Sequence, residues 1–280
     1  MSDIMAALND WLMWTGILLG TLGVFSRENW RSIWLMLEVN LISFLPLISY
    51  SWSVKKVTIL YFLAQRVGSL SLLIRGIVMD RRLFLYKGLL LGLLLKGGFA
   101  PLHFWGPLFI NKLPKIQTFT FLTWQKIAPL FLLLASIPKH ILCWVLIANA
   151  LVAALRAISS KRLSVLLFFS GLMHVSWVLM APQVAGMTYF FLYSLLLLPV
   201  VYSTPSTLPV FLFNIAGLPP LSGFFLKLFM LQFVDLGIGA LLLIISFFLL
   251  YSYIRLFLFT RLKIKVNISA LVLCSLGLFY

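Results

Sequence analysis

Glu38, Lys96, Lys126 and Lys227 each lie deep inside a long apolar run, and His174 sits in another, "SGLMHVSW". On insertion scales an acid or base at mid-bilayer costs roughly 2.5–3.5 kcal/mol, so side chains of this kind need partners, water or a purpose. Burial disfavours the charged form of any ionisable group, and a nearby opposite charge restores it. A buried carboxylate beside a lysine therefore has protonation states close in energy, and the two titrate as one coupled system. Lysines joined by water and gated by one Glu–Lys contact would form a proton wire. Catalysis in this chain, if it exists, is the translocation of protons through Glu38, Lys96, Lys126, Lys227 and His174.

Each of these residues also has a plainer reading. Glu38, in "LMLEVNLISF", could serve only as an interhelical salt bridge. Lys126, in "LTWQKIAPL", is too deep to snorkel easily, whereas Lys227 is closer to an interface. His174 could be a satisfied core histidine. Arg66 keeps its proton, so it cannot relay one, but it can hold a carboxylate in place. Lys87, Arg75, Arg156 and Arg255 fall within reach of span ends and are discounted, and His103 is read as structural.

The elements that position these groups must be membrane helices. Apolar residues make up 62% of the 280, charged residues only 10%, and mean hydropathy is +1.10. Soluble domains carry about 45–50% apolar and roughly 25% charged residues. The chain has 25 Phe, 9 Trp and 9 Tyr, and the Trp and Tyr often fall near segment ends, where they can anchor at the interface. The net charge of +16 is scattered between apolar runs rather than gathered on a stripe, which argues against nucleic acid. Cys143 and Cys274 stand alone, so no Cys or Cys/His cluster offers a metal, haem or iron–sulfur site. No phosphate-cradling glycine loop is present in the sequence. The opening "MSDIMAALNDWLMW" has neither a basic n-region nor an Arg-rich transit pattern, and no cleavable presequence is expected.

A helix needs about 20 apolar residues to cross. Punctuation places spans near 4–25, 30–51, 57–79, 83–100, 116–137, 140–158, 162–181, 184–203, 208–234, 237–260 and 266–280, eleven in all. The expected fold is an all-α polytopic membrane bundle, one transmembrane domain over 1–280 without an extramembrane domain. Even-numbered connections carry ten Lys and Arg, from Lys55 and Lys56 to Lys263 and Lys265, against five in the odd ones, such as Arg27 and Lys139. The positive-inside rule then puts the N-terminus and even loops on the cytoplasm-equivalent side and the C-terminus opposite.

One stretch recurs. "GFAPLHFW" begins at Gly98 and "GLPPLSGFF" at Gly217, each Gly-x-x-Pro-Leu followed by aromatics, with Lys96 and Lys227 close by. Paired interruptions in two halves of a membrane chain point to discontinuous helices along a transport path. A break frees backbone groups and half-helix dipole ends that can hold an ion or water where lipid cannot.

These residues carry a likeness. "LEVN", "YFLAQ", "KGGFAPLHFW", "LTWQKIAPL", "HVSW" and "GLPPLSGFFLK", spread over about residues 28–230, resemble the NADH dehydrogenase subunit 2 family, the mitochondrially encoded antiporter-like membrane subunits of respiratory complex I. The resemblance implies two inverted five-helix repeats, about 1–137 and 140–260, each with a broken helix, and a terminal helix near 266–280. It implies that three N-terminal helices of the bacterial form are missing and that the N-terminus faces the matrix. By motif, Glu38 corresponds to the acid that pairs with Lys96, the lysine of the first broken helix. Lys126 corresponds to the central-axis lysine, Lys227 to the lysine of the second broken helix, and His174 to a histidine between the halves. The chain itself would hold no cofactor; flavin, iron–sulfur clusters and quinone belong to other subunits. Its partners would be neighbouring membrane-arm and antiporter-like subunits of complex I, in the mitochondrial inner membrane, with cardiolipin near the basic even loops. Arg66 departs from the small or polar residue usual there, and the segment from about 255 is reduced.

Two other functions suit the same residues. One is a stand-alone cation/proton antiporter of this fold, which would work without partners. The other is a structural subunit that conducts nothing, against which the cost of the deep charges argues.

Overall fold

The computed structural model describes residues 2–27, 29–49, 52–77, 82–204 and 207–259, and every regular element among them is helical. Seven helical segments among the described residues, one of them interrupted at Thr123, are long and apolar enough to cross a membrane. The chain divides into two compact units, Met1–Ile137 and Pro138–Tyr280.

In the first unit α1 (Ser2–Phe25) packs along α2 (Trp30–Ile48), α2 on α3 (Trp52–Ile77), and α3 on α4 (Arg82–Gly97). A side chain at Gly20 would run into the backbone of Met36 and Asn40, so a small residue there lets α1 and α2 approach closely. On α2, Ile33, Leu37, Leu41, Phe44 and Ile48 form the buried face, and helical phase carries Glu38 and Asn40 inward with them. After α4 the short α5 (Trp105–Ile110) returns against α3, and α6 (Lys115–Leu122) and α7 (Trp124–Ser136) make up one span. Tyr61 stacks on Phe109 with centroids 4.7 Å apart, while Trp105 and Phe121 close around the pair. These rings pin α5 and α6 to α3.

In the second unit α9 (Leu163–Met180) is the centre. Every residue from Leu166 to Leu179 is buried, as expected of a helix apolar all round. Around it pack α8 (Lys139–Ser159), α10 (Gln183–Tyr202) and α13 (Leu236–Phe259). Ala150, Ala153, Ala154 and Ala157 form the inner face of α8, the small-residue seam that membrane helices use to pack. The remaining pieces are α11 (Leu208–Ala216) and α12 (Ser222–Leu231), both against α10. Outward faces carry large apolar side chains such as Leu63, Trp144 and Phe247, as a lipid-facing surface requires.

The break expected at Gly217 divides the segment 208–234 into two half-helices. Other expectations need correction. The segment 83–100 ends its helix at Gly97, and the six-residue α5 was not expected. A further discontinuity falls at Thr123, with φ −110° and ψ −76°. There the Thr123 hydroxyl donates back to the Phe119 carbonyl at 2.8 Å, which bends helices. Pro129, lacking an N–H, loosens the same stretch further on. The segment 266–280 lies outside the described residues.

Candidate functional site

Both helix breaks are built alike. The α4 helix closes with the Phe99 N–H donating to Leu94 O at 2.9 Å and the Gly98 N–H to Leu95 O at 3.2 Å. The α11 helix closes with the Leu218 N–H donating to Phe213 O at 3.3 Å and the Gly217 N–H to Asn214 O at 3.0 Å. These are paired caps of the kind that needs a left-handed residue just past the helix end. Glycine fills both positions, with φ 64° at Gly98 and 79° at Gly217. Three residues on, Pro101 and Pro220 both follow cis peptide bonds. The sequence echo is thus also a backbone echo.

The breaks differ in which group takes the freed carbonyls. In the first unit the Gln65 side chain donates to the Lys96 carbonyl at 3.0 Å. The Lys96 ammonium is left to face Glu38, with Nζ 3.9 Å from Oε1. In the second unit Lys227 turns back across its own break and donates to Ala216 O at 2.5 Å. Asn214 completes that junction, because its Oδ1 accepts from Ser222 Oγ at 3.0 Å and from the Gly223 N–H at 2.9 Å. One asparagine near the end of α11 thereby caps the start of α12.

Glu38 has two basic neighbours, not one. Its Oε2 accepts from Arg66 Nη1 at 2.5 Å, closer than Lys96. The Glu38 and Lys96 side chains are buried, whereas that of Arg66 is 39% exposed. Lys96 and Gln65 line a small polar cavity together with Asn40, Tyr61, Gln125 and Pro129. The space open to a water centre is about 10 Å³, room for about one water. Gln125 donates to Asn40 Oδ1 at 3.0 Å and so ties α7 to α2. Lys126, the next residue, is buried on α7, which packs on α4. Trp124 fixes the start of that helix by donating to Thr21 Oγ1 at 3.0 Å.

In the second unit His174 is buried on α9. Its Nδ1 lies 2.8 Å from the Tyr189 hydroxyl, and its ring stacks on Tyr193 with centroids 4.1 Å apart.

The structure therefore brings Glu38 and Lys96 together and adds Arg66, while Lys126 lies on a helix packed against that of Lys96. Lys227 and His174 belong to the second unit. Sequence reasoning missed Gln65, Asn40, Gln125, Asn214, Tyr189 and Tyr193. Their one visible signal is a polar side chain inside an apolar run. Among the described residues, no three His, Cys, Asp or Glu side chains gather where they could hold a metal ion.

No family model matches the chain. It is 31% identical over 282 aligned residues to NADH-ubiquinone oxidoreductase chain 2 of Anopheles gambiae, covering 86% of this chain and 82% of that one. To the protein of the same name from Aedes aegypti it is 29% identical, covering 84% and 81%. Among solved structures it is similar to a chain of respiratory complex I from Thermus thermophilus, with TM-score 0.78 and 19% identity, covering 96% of this chain and 78% of that one. It is also similar to a chain of an Mrp complex from Dietzia sp., with TM-score 0.72 and 17% identity, covering 86% and 58%. At those identities the structures speak for the fold, which is that of the antiporter-like membrane subunits. The mosquito relative spans most of both chains at 31% identity, and on that ground this chain belongs to the NADH-ubiquinone oxidoreductase chain 2 family.

Proposed function

We propose that the chain is a proton-translocating membrane-arm subunit of NADH:ubiquinone oxidoreductase. The observation that carries this reading is the buried Glu38–Lys96 contact at a helix break, beside a polar cavity with room for about one water. Flavin, iron–sulfur clusters and quinone lie in other subunits, and redox energy released there reaches this chain as movement of its helices. The energy of a proton on Lys96 depends on its distance from Glu38, so any motion that changes the 3.9 Å separation changes where the proton is most stable. Gln65 holds the Lys96 backbone in place, which leaves the side chain as the moving part.

Lys126 accepts the proton on the central axis of the first unit. Lys227 is the corresponding group of the second unit, and His174, on α9 of the same unit, relays through Tyr189. Lys227 in its present position is latched to Ala216 O, so proton transfer there requires release of that bond. The chain sits in the mitochondrial inner membrane with its N-terminus on the matrix side, beside other antiporter-like subunits and with cardiolipin at the basic even loops.

The test is extraction of the native membrane in mild detergent, followed by a native gel probed for this chain and stained for NADH oxidation. The chain is expected only in a very large NADH-oxidising band. Migration alone or as a small oligomer would replace this reading with that of a stand-alone cation/proton antiporter.

A further inference from the structure

We infer that Arg66 is a bridge to a neighbouring membrane chain, whose helix lies along α3 and places a carboxylate against the guanidinium from the open side. Three observations lead there. First, Arg66 lies near the middle of the span Lys55–Ile74, about 12–16 Å along the helix from either end. That is further than an arginine can snorkel. Second, its side chain is 39% exposed, on a face otherwise made of the exposed apolar residues Leu63, Val67 and Leu70. A guanidinium cannot be left facing hydrocarbon at that depth, so something polar covers it. Third, the cluster holds two bases, Arg66 and Lys96, to a single carboxylate.

This chain cannot supply the second acid. Of its six acidic residues, Asp3, Asp10, Glu28, Asp80 and Asp235 stand at the start of, or between, apolar stretches, and only Glu38 is deep. A lipid phosphate does not reach mid-bilayer. A transmembrane helix with Asp or Glu on an otherwise apolar face matches both the depth and the charge. Arg66 can serve two acids at once. Nη1 is engaged by Glu38, and the remaining N–H groups of the planar fork suit a second carboxylate. The guanidinium is steadied from within by the ring of Phe62, 4.9 Å away. Arg66 would then be a positioning residue. A carboxylate on the neighbour competes with Glu38 for the same guanidinium, so a shift of the neighbour alters how strongly Arg66 holds Glu38 beside Lys96.

The inference rests on the proposed function only in requiring a neighbouring membrane chain. The experiment is Arg66→Lys in the full assembly in native membranes, treated with a hydrophobic carbodiimide. The reagent activates a carboxyl group, the new amine attacks it, an amide forms and a urea leaves. Peptide mass spectrometry is expected to find an amide to an Asp or Glu within an apolar segment of another chain. An amide to Glu38 alone, or none, would overturn the inference. If that variant does not assemble, Leu70→Cys carrying a benzophenone probe, with Arg66 intact, gives a second reading. Capture of a helix with an acid inside its apolar segment supports the bridge; capture of lipid alone, or of an acid-free helix, overturns it. A cross-link in a small oligomer would keep this inference and defeat the complex I reading. An absent cross-link in the large NADH-oxidising band would do the reverse.

Discussion

Glu38 is the side chain on which most of the proposed chemistry turns, because it is shared between a half-exposed arginine and a buried lysine. Glu38→Gln leaves two bases facing each other without a counter-charge. Breaking a buried pair in this way costs about 3–5 kcal/mol, toward the lower end here because Arg66 is partly open. We expect much less of the chain in the assembled band on a native gel. The double variant Glu38→Gln with Arg66→Gln should recover part of it, since one of the two stranded bases is gone; recovery no better than the single variant would show that the two residues are not coupled. The pairing was only partly legible in the sequence. Depth identified Glu38, Arg66 and Lys96 as costly, but which base lies nearer depends on the rotation of α3 against α2, and no local pattern encodes that. The polar residues Gln65 and Asn214 were equally visible, yet their roles appear only once a carbonyl 31 residues away, or a helix start 9 residues on, is brought to them.

At the scale of the element, the two breaks were legible because glycine and proline act locally. Glycine admits the left-handed conformation past a helix end and proline disfavours its continuation, and at Gly98 and Gly217 the two act together. The discontinuity at Thr123 was not legible, since threonine in a membrane helix is ordinary and bends it only when its hydroxyl bonds backward. The junction of α11 and α12 yields a graded prediction. A side chain at Gly223 would overlap the Asn214 carbonyl, and one at Gly217 would need φ +79° beside the Lys227 stem. Gly217→Ala should cost about 1–2 kcal/mol and Gly223→Ala more, because backbone has to move. Gly88→Ala, with nothing within 4 Å, should be neutral or raise stability by up to about 1 kcal/mol. Thermal inactivation of the solubilised assembly ranks the three, and equal behaviour of Gly88→Ala and Gly223→Ala would contradict the packing described for the junction.

At the scale of the whole molecule, composition alone made the membrane bundle legible, because a chain with 62% apolar residues has few other ways to bury them. Hydropathy by itself does not register where a helix stops, so within 208–234 only the Gly and Pro punctuation marks the half-helices. Orientation yields its own test. Lys139 and Lys161 are exposed at opposite ends of α8, so cysteines placed there should label from opposite sides, Lys161→Cys from the matrix and Lys139→Cys from the intermembrane space. Labelling from one side would refute the assigned topology.

In the proposed function protons pass through this chain by way of its buried lysines. The most direct measurement is the number of protons moved per NADH oxidised by the assembled complex carrying Lys126→Ala, in sealed membranes, with assembly confirmed on a native gel. The expected result is a complex that still assembles and oxidises NADH but moves fewer protons per NADH. An unchanged ratio in an assembled, active complex would mean that no proton path runs through Lys126, and this chain would then be a scaffold.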